Sequence, residues 1–181
     1  MVKFDYKFLN QYILIRKGQN FMDKKDYIKQ LNLAPHPEGG WYRQVYKSEE
    51  TFTENNKELH YYTSIYFLLD DKNISHFHQL TRDEIWYFHA GEPLTIHCIS
   101  PEGNYYRVRL GNNPANDEQF QFSVPAGTIF GSESNNPDSF SLVSCMVAPG
   151  FTFDDFELKH KQDLLKNYPQ YQEVIEKMAL E

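Results

Sequence analysis

Between residues 40 and 148, apolar side chains recur with a period of two, in short runs separated by turn residues. The run 84–89 is an example: Glu84, Trp86 and Phe88 fall on one face of an extended chain, Ile85, Tyr87 and His89 on the other. The pattern predicts strands over 40–47, 60–70, 74–80, 84–90, 93–100, 104–110, 119–124, 128–132 and 139–148. The intervening segments carry turn chemistry: Asp70-Asp71-Lys72-Asn73, Pro101-Glu102-Gly103-Asn104, Gly111-Asn112-Asn113-Pro114 and Asn135-Asn136-Pro137-Asp138. Strands this short, at intervals of roughly 8–12 residues, predict a sandwich or barrel rather than a βαβ sheet.

The period changes at both ends. Asp23 can cap a helix with Tyr27, Ile28 and Leu31 on one face, ended by Pro35. Leu158, Leu164 and Leu165, then Tyr171, Val174, Ile175 and Met178, predict two short helices broken at Pro169. The acidic run Asp154-Asp155-Phe156-Glu157 suits a helix N-terminus better than a metal site. The expected fold is all-β, with short flanking helices at both ends. The expected organisation is an N-terminal extension over 1–21, a main domain over 22–160 and a helical tail over 161–181. Met22 offers an alternative start, since 1–21 is aromatic and basic with no clear period.

Composition narrows the function classes. The chain has 181 residues, 40% of them apolar and 16% aromatic, enough to build a packed core. Its net charge of −7 opposes a nucleic-acid partner, which needs a basic face, and gives no support for an anionic membrane surface. No apolar run reaches the ~20 residues of a membrane-spanning helix. No clean signal peptide opens the sequence, and Cys98 and Cys145 both sit in apolar strand-like runs. They read as buried thiols, and the expected location is the cytoplasm.

The segment 75–91, SHFHQLTRDEIWYFHAG, holds the candidate chemistry. On a regular strand His76 and His78 share a face, with Phe77 on the other. If 74–80 and 84–90 form a hairpin, Glu84 can face both imidazoles. Two histidines and one carboxylate on one rim are the elements of a facial triad for non-haem iron, manganese or a similar divalent ion. Without a metal, a carboxylate beside imidazoles can do acid–base work. No nucleophile elbow, phosphate loop or CxxC pair occurs.

The spacing of His76, His78, Glu84 and Gly91 resembles the first motif of the cupins, and Pro125-Ala126-Gly127 resembles the opening of the second. Phe130 stands where the second motif has its histidine, and Gln119 where it has a glycine. Five further blocks resemble the Cupin_5 family: His36-Pro37-Glu38-Gly39-Gly40-Trp41-Tyr42-Arg43, Ser64 to Leu69, Asp83 to Trp86, Val124 to Gly127, and Val147 to Phe151 leading to Asp155 to Leu158. The resemblance spans about residues 25–160. It implies a double-stranded β-helix, the cupin jelly-roll barrel, with an interior pocket and a homodimeric assembly. It also implies that His78 and Glu84, in preference to His76, are pocket residues.

Tyr66, Trp86, Phe88 and Phe130 are candidates for an aromatic pocket wall, although barrel filling also explains such residues. Glu38 and Arg43 are candidates for ligand binding or for an ordinary surface ion pair. Pro37, Gly39 and Gly40 read as a structural turn, and Trp41 and Tyr42 point to opposite faces. His60, His89, His97 and His160 read as core or solvated groups outside the pocket. Two classes of function remain open. One is an enzyme on a small polar, sugar-like metabolite, with His78 and Glu84 as an acid–base pair in the manner of an epimerase or isomerase. A metal-dependent version would use His76, His78 and Glu84 around a divalent ion. The other is a non-catalytic module that senses or stores a small molecule.

Overall fold

The computed structural model describes residues 22–181. The extension over 1–21, with its expected boundary at Met22, lies outside the described residues. Fourteen strands follow in chain order: β1 (Ala34–Pro35), β2 (Trp41–Lys47), β3 (Thr51–Glu54), β4 (Lys57–His60), β5 (Thr63–Asp70), β6 (Ser75–Leu80), β7 (Glu84–Gly91), β8 (Leu94–Ile99), β9 (Tyr105–Leu110), β10 (Glu118–Gln119), β11 (Gln121–Val124), β12 (Ile129–Ser134), β13 (Phe140–Val147) and β14 (Phe156–Leu158). Helix α1 (Lys24–Gln30) precedes them; α2 (Lys161–Asn167) and α3 (Gln172–Met178) close the chain.

Two six-stranded sheets face each other. One runs β1-β2-β5-β13-β7-β11, the other β10-β9-β8-β12-β6-β14, while β3 and β4 form a separate hairpin. The period-two pattern decides what each sheet buries. Phe67, Leu69, Trp86, Val143 and Cys145 from the first sheet meet Leu94, Ile96, Cys98, Leu110 and Phe130 from the second in one core. The outer faces are covered by the helices. Tyr27, Ile28 and Leu31 of α1 and its end pack on Leu68 and Leu142. Leu164, Ile175 and Met178 of α2 and α3 pack on Phe77 and Ile99.

Asp23 caps α1, its carboxylate accepting the Asp26 N–H at 2.9 Å while Asp26 accepts the Asp23 N–H at 3.1 Å. That helix ends at Gln30, four residues earlier than a stop at the proline requires, and Pro35 sits instead in an edge strand. Three further expectations are corrected. The segments 75–80 and 84–91 form no hairpin, because the chain crosses between sheets at the intervening turn. The acidic run at 154–157 does not open a helix; it forms a 3-10 turn over Phe153–Asp155 and then β14. Asp155 accepts the hydroxyls of Thr81 at 2.5 Å and Thr152 at 2.7 Å, which ties this return to the end of β6. The hairpin β3–β4 falls where no strand was expected before residue 60; Asn55 and Asn56 make its turn with φ of 50° and 61°.

Candidate functional site

Between the sheets lies a cavity of about 250 Å³, lined by residues of β2, β5, β6, β7 and β13 together with the segments around residues 36–38 and 151–156. Its polar groups come from separate parts of the chain. His36 and Glu38 lie in the turn before β2, His78 is on β6 and Glu84 opens β7. Aromatic walls are supplied by Tyr42, Phe67, Trp86, Phe151, Phe153 and Phe156.

The turn at 36–40 holds Glu38 inward. Gly39, at φ +110°, approaches so closely that a Cβ there would meet the Ile74 carbonyl oxygen at 2.0 Å. The Glu38 carboxylate is buried; it accepts the Ser75 hydroxyl at 2.8 Å, and its other oxygen lies 3.4 Å from His78 Nε2 and 3.6 Å from His36 Nδ1. Burial raises the Glu38 pKa against the opposing pull of His36 and the Ser75 hydroxyl.

His78 is fixed on every side. Its ring lies 4.1 Å from Phe130 and 5.3 Å from Phe156, centroid to centroid. Its Nδ1 is 2.8 Å from the His76 carbonyl oxygen, which can only accept, so Nδ1 carries the proton and Nε2 offers a lone pair toward the cavity. Burial lowers the His78 pKa despite the charge of Glu84, which keeps the ring neutral. His36 has the opposite tautomer. Its Nδ1 accepts the Glu38 backbone N–H at 3.3 Å, leaving Nε2–H as a donor, and burial lowers its pKa as well. Glu84 accepts the Trp86 indole N–H at 2.8 Å. Burial first, and then the charge of Glu38, push the Glu84 pKa up to about 7, against the pull of His78 and the indole. Cys145 also lines the cavity, and burial raises its thiol well above the ordinary value, so it stays protonated.

His76 does not join this group. Pairing of β6 with β12 shifts register between His78 and Ser75, placing three β6 residues against two of β12. This bulge breaks the alternation that would have put His76 and His78 on one face. Ser75 and His78 both reach Glu38, while the His76 ring turns to the Glu38 carbonyl, 2.7 Å from its Nδ1. Among the described residues, no three His, Cys, Asp or Glu side chains are grouped as metal ligands. The set His76, His78 and Glu84 therefore does not fit a divalent ion. Phe130 fills the space beside His78 with a ring that cannot ligate.

The remaining candidates divide by strand face. Trp86 and Glu38 line the cavity. Phe130 backs His78 from the core, and Phe88 packs at the core margin without reaching the cavity lining. Arg43 and Tyr66 are cross-strand partners on the outer face of the first sheet, where Tyr66 joins the cluster under α1. Since Tyr42 and Gln44 point inward, Arg43 must point out. His89 lies outside the cavity, its Nε2 2.6 Å from the Ser144 hydroxyl. His97 is likewise outside, between Tyr105 at 2.8 Å and Glu133 at 3.2 Å. His36, Tyr42, Phe151 and Phe156 also line the cavity, although none is a site candidate from the sequence. Tyr42 was accessible through its alternation with Trp41; the others are brought in by turns whose path no periodicity encodes.

The model of the family described as "Cupin_5: Cupin superfamily (DUF985)" matches residues 25–159. The chain belongs to the Cupin_5 family. A solved structure of protein SO0799 from Shewanella oneidensis is 51% identical, with a TM-score of 0.83, covering 88% of this chain and 99% of that one. A hypothetical protein from Leishmania major is 39% identical, also with a TM-score of 0.83, covering 88% of this chain and all of that one. The uncharacterized protein YML079W of Saccharomyces cerevisiae is 28% identical over 155 residues, 77% of each chain. Oxalate decarboxylase from Bacillus subtilis, at 15% identity and a TM-score of 0.51, covers 80% of this chain and 36% of that one, and shows shared fold alone. This Cupin_5 protein is thus a jelly-roll barrel with flanking short helices, and none of the described helices is long and apolar enough to cross a membrane.

Proposed function

We propose that this Cupin_5 protein is a metal-independent enzyme that moves a proton on a small polar, sugar-like metabolite, with His78 as base and Glu84 as acid. The observation that carries this reading is geometric: both line one cavity, His78 with Nδ1 tied to the His76 carbonyl and Glu84 with only the Trp86 indole N–H against its carboxyl. His78 is neutral with Nε2 free of a proton, while Glu84 holds its proton up to about pH 7. In the reaction, His78 Nε2 takes the proton from the carbon beside a substrate carbonyl. The C–H electron pair forms the enol double bond, and Glu84 delivers its proton to the carbonyl oxygen. On a substrate with a neighbouring hydroxyl, His78 returns its proton to the neighbouring carbon and Glu84 takes the proton of that hydroxyl, which gives the isomer and restores both groups. A proton delivered by water to the opposite face of the first carbon, with Glu84 recovering its own and His78 releasing its proton to solvent, gives the epimer. Glu38, 3.4 Å from His78 Nε2, stabilises the imidazolium formed midway. The aromatic walls suit a ring-shaped ligand. The reading carries a cytoplasmic location, a homodimer and no nucleic-acid partner.

Small polar metabolites that raise the melting temperature by mass action identify ligands. Each is then incubated with the protein in deuterated water and followed by NMR. The expected result is deuterium uptake beside the carbonyl, falling about 10²- to 10⁴-fold in His78→Asn or Glu84→Gln. A ligand that binds and is recovered without exchange makes the barrel a binding module instead.

A further inference from the structure

The cavity is chemically one-sided. Two carboxyl groups enter it, Glu38 and Glu84, both buried with exposures of 6% and 8%. No lysine or arginine lines it among the described residues. Each carboxyl has one oxygen engaged, by Ser75 on Glu38 and by the Trp86 indole on Glu84. Neither second oxygen, Glu38 Oε2 or Glu84 Oε1, accepts a hydrogen bond from a described residue. The two histidines supply no positive charge, since burial lowers the pKa of each, and an ionised Glu38 would have no fixed cation beside it among the described residues of the cavity. The walls are electron-rich aromatic faces, Tyr42, Phe67, Trp86, Phe151 and Phe156 among them.

A phosphate or carboxylate would enter with no guanidinium or ammonium to meet it and two buried acids to oppose it. A neutral polyol would leave any ionised carboxylate unpaired in a medium where charge is expensive to bury. An ammonium answers both conditions. It donates to Glu38 Oε2 and supplies the charge that holds this carboxyl ionised, and its attraction is strengthened by the low local dielectric and by the aromatic wall.

We propose that the natural ligand carries a positively charged amine, which binds at Glu38 Oε2 against the aromatic wall and leaves Glu84 as the protonated acid. This deepens the proton-transfer reading and rests on the same cavity: the ligand class becomes a small amine-bearing metabolite. The cavity discriminates by charge before it discriminates by shape.

Two matched sets of probes test it by calorimetry and thermal shift. One is D-glucosamine, D-glucose and D-glucuronate; the other is benzylamine, benzyl alcohol and benzoate. The expected result is that at least one amine binds about tenfold or more tightly than its neutral counterpart, as a charge-assisted hydrogen bond requires, with no binding of the anions. The ratio of amine to neutral affinity, read within each variant, falls most in Glu38→Gln and less in Glu84→Gln, where an amide replaces an acid already protonated. Melting curves of both variants establish that they are folded. Equal binding of neutral probe and amine, preference for an anion, a preference that survives Glu38→Gln, or no amine binding in either set overturns the inference. Deuterium exchange separates the two readings. A neutral ligand that binds and exchanges sinks the charge inference alone; an amine that binds through Glu38 and never exchanges sinks the proton transfer alone.

Discussion

Glu84 is buried at the start of β7 and, among the described residues, has one hydrogen bond, from an indole, and no lysine or arginine beside it in the cavity lining. Its raised pKa has a thermodynamic consequence with a definite sign. Between its ordinary value near 4.5 and its folded value of about 7, the native protein holds a proton that the unfolded chain has released. Stability contributed by the protonated form is complete below the ordinary value and is lost as pH rises through about 7. The shift corresponds to a loss on the order of 3 kcal/mol. Glu84→Gln should remove this dependence, so that urea denaturation at pH 5 and pH 8 differs less in the variant than in the parent. Buried His36 and His78 act oppositely, their lowered pKa values costing stability as pH falls through the ordinary histidine range. Catalysis by a neutral imidazole and a protonated carboxyl should likewise decline above about pH 7, read as a falling limb in the pH profile of deuterium exchange. That His78 and Glu84 enter the pocket was legible through the resemblance to the first cupin motif rather than through the strand pattern, whose expected hairpin does not form. The placement of His76 was not legible, because alternation holds only while every residue is paired, and the bulge at 76–77 adds one.

That bulge is a property of the pair β6–β12, and Gly131 permits it. A Cβ at Gly131 would meet the Ser75 carbonyl oxygen at 2.7 Å and the His76 and Phe77 backbone at 3.1 Å, where no side chain can yield. Gly131→Ala should therefore destabilise by about 1–3 kcal/mol, a fall in urea midpoint at unchanged slope, and should weaken ligand binding by moving Ser75 away from Glu38. His76→Ala, by contrast, removes a group turned out of the cavity and should reduce exchange activity far less than His78→Asn. Elements with a clean alternation, such as β7, were legible in the sequence nearly to their ends. The hairpin β3–β4 was not, because Thr51, Phe52 and Thr53 are followed by a polar run without an apolar face to mark it. Its one signal was Asn55-Asn56, a pair suited to left-handed turn positions. Strand β14 was hidden by an acidic run whose carboxylates bind Thr81, Thr152 and Arg82 rather than free helix amides.

At the scale of the molecule, each sheet has its inner face in the common core and its outer face under a helix, so the helices complete the barrel rather than decorate it. Ile175 and Met178 are fully buried against the second sheet, and Ile175→Ala or Met178→Ala should cost about 2–5 kcal/mol in denaturant unfolding. The apolar spacing of α1 and α3 made these helices visible in advance but not what they cover, and the crossing of the chain between sheets at residues 81–83, which sets His78 opposite Glu84, is a long-range outcome that no local pattern carries. The central claim concerns those two groups. Heteronuclear NMR of protein labelled at the glutamate carboxyls and histidine ring nitrogens reads both protonation states at once. Glu84 should titrate near pH 7, with His78 protonated at Nδ1 and neutral throughout that titration. A Glu84 titration near 4.5, or a His78 protonated at Nε2, would contradict it.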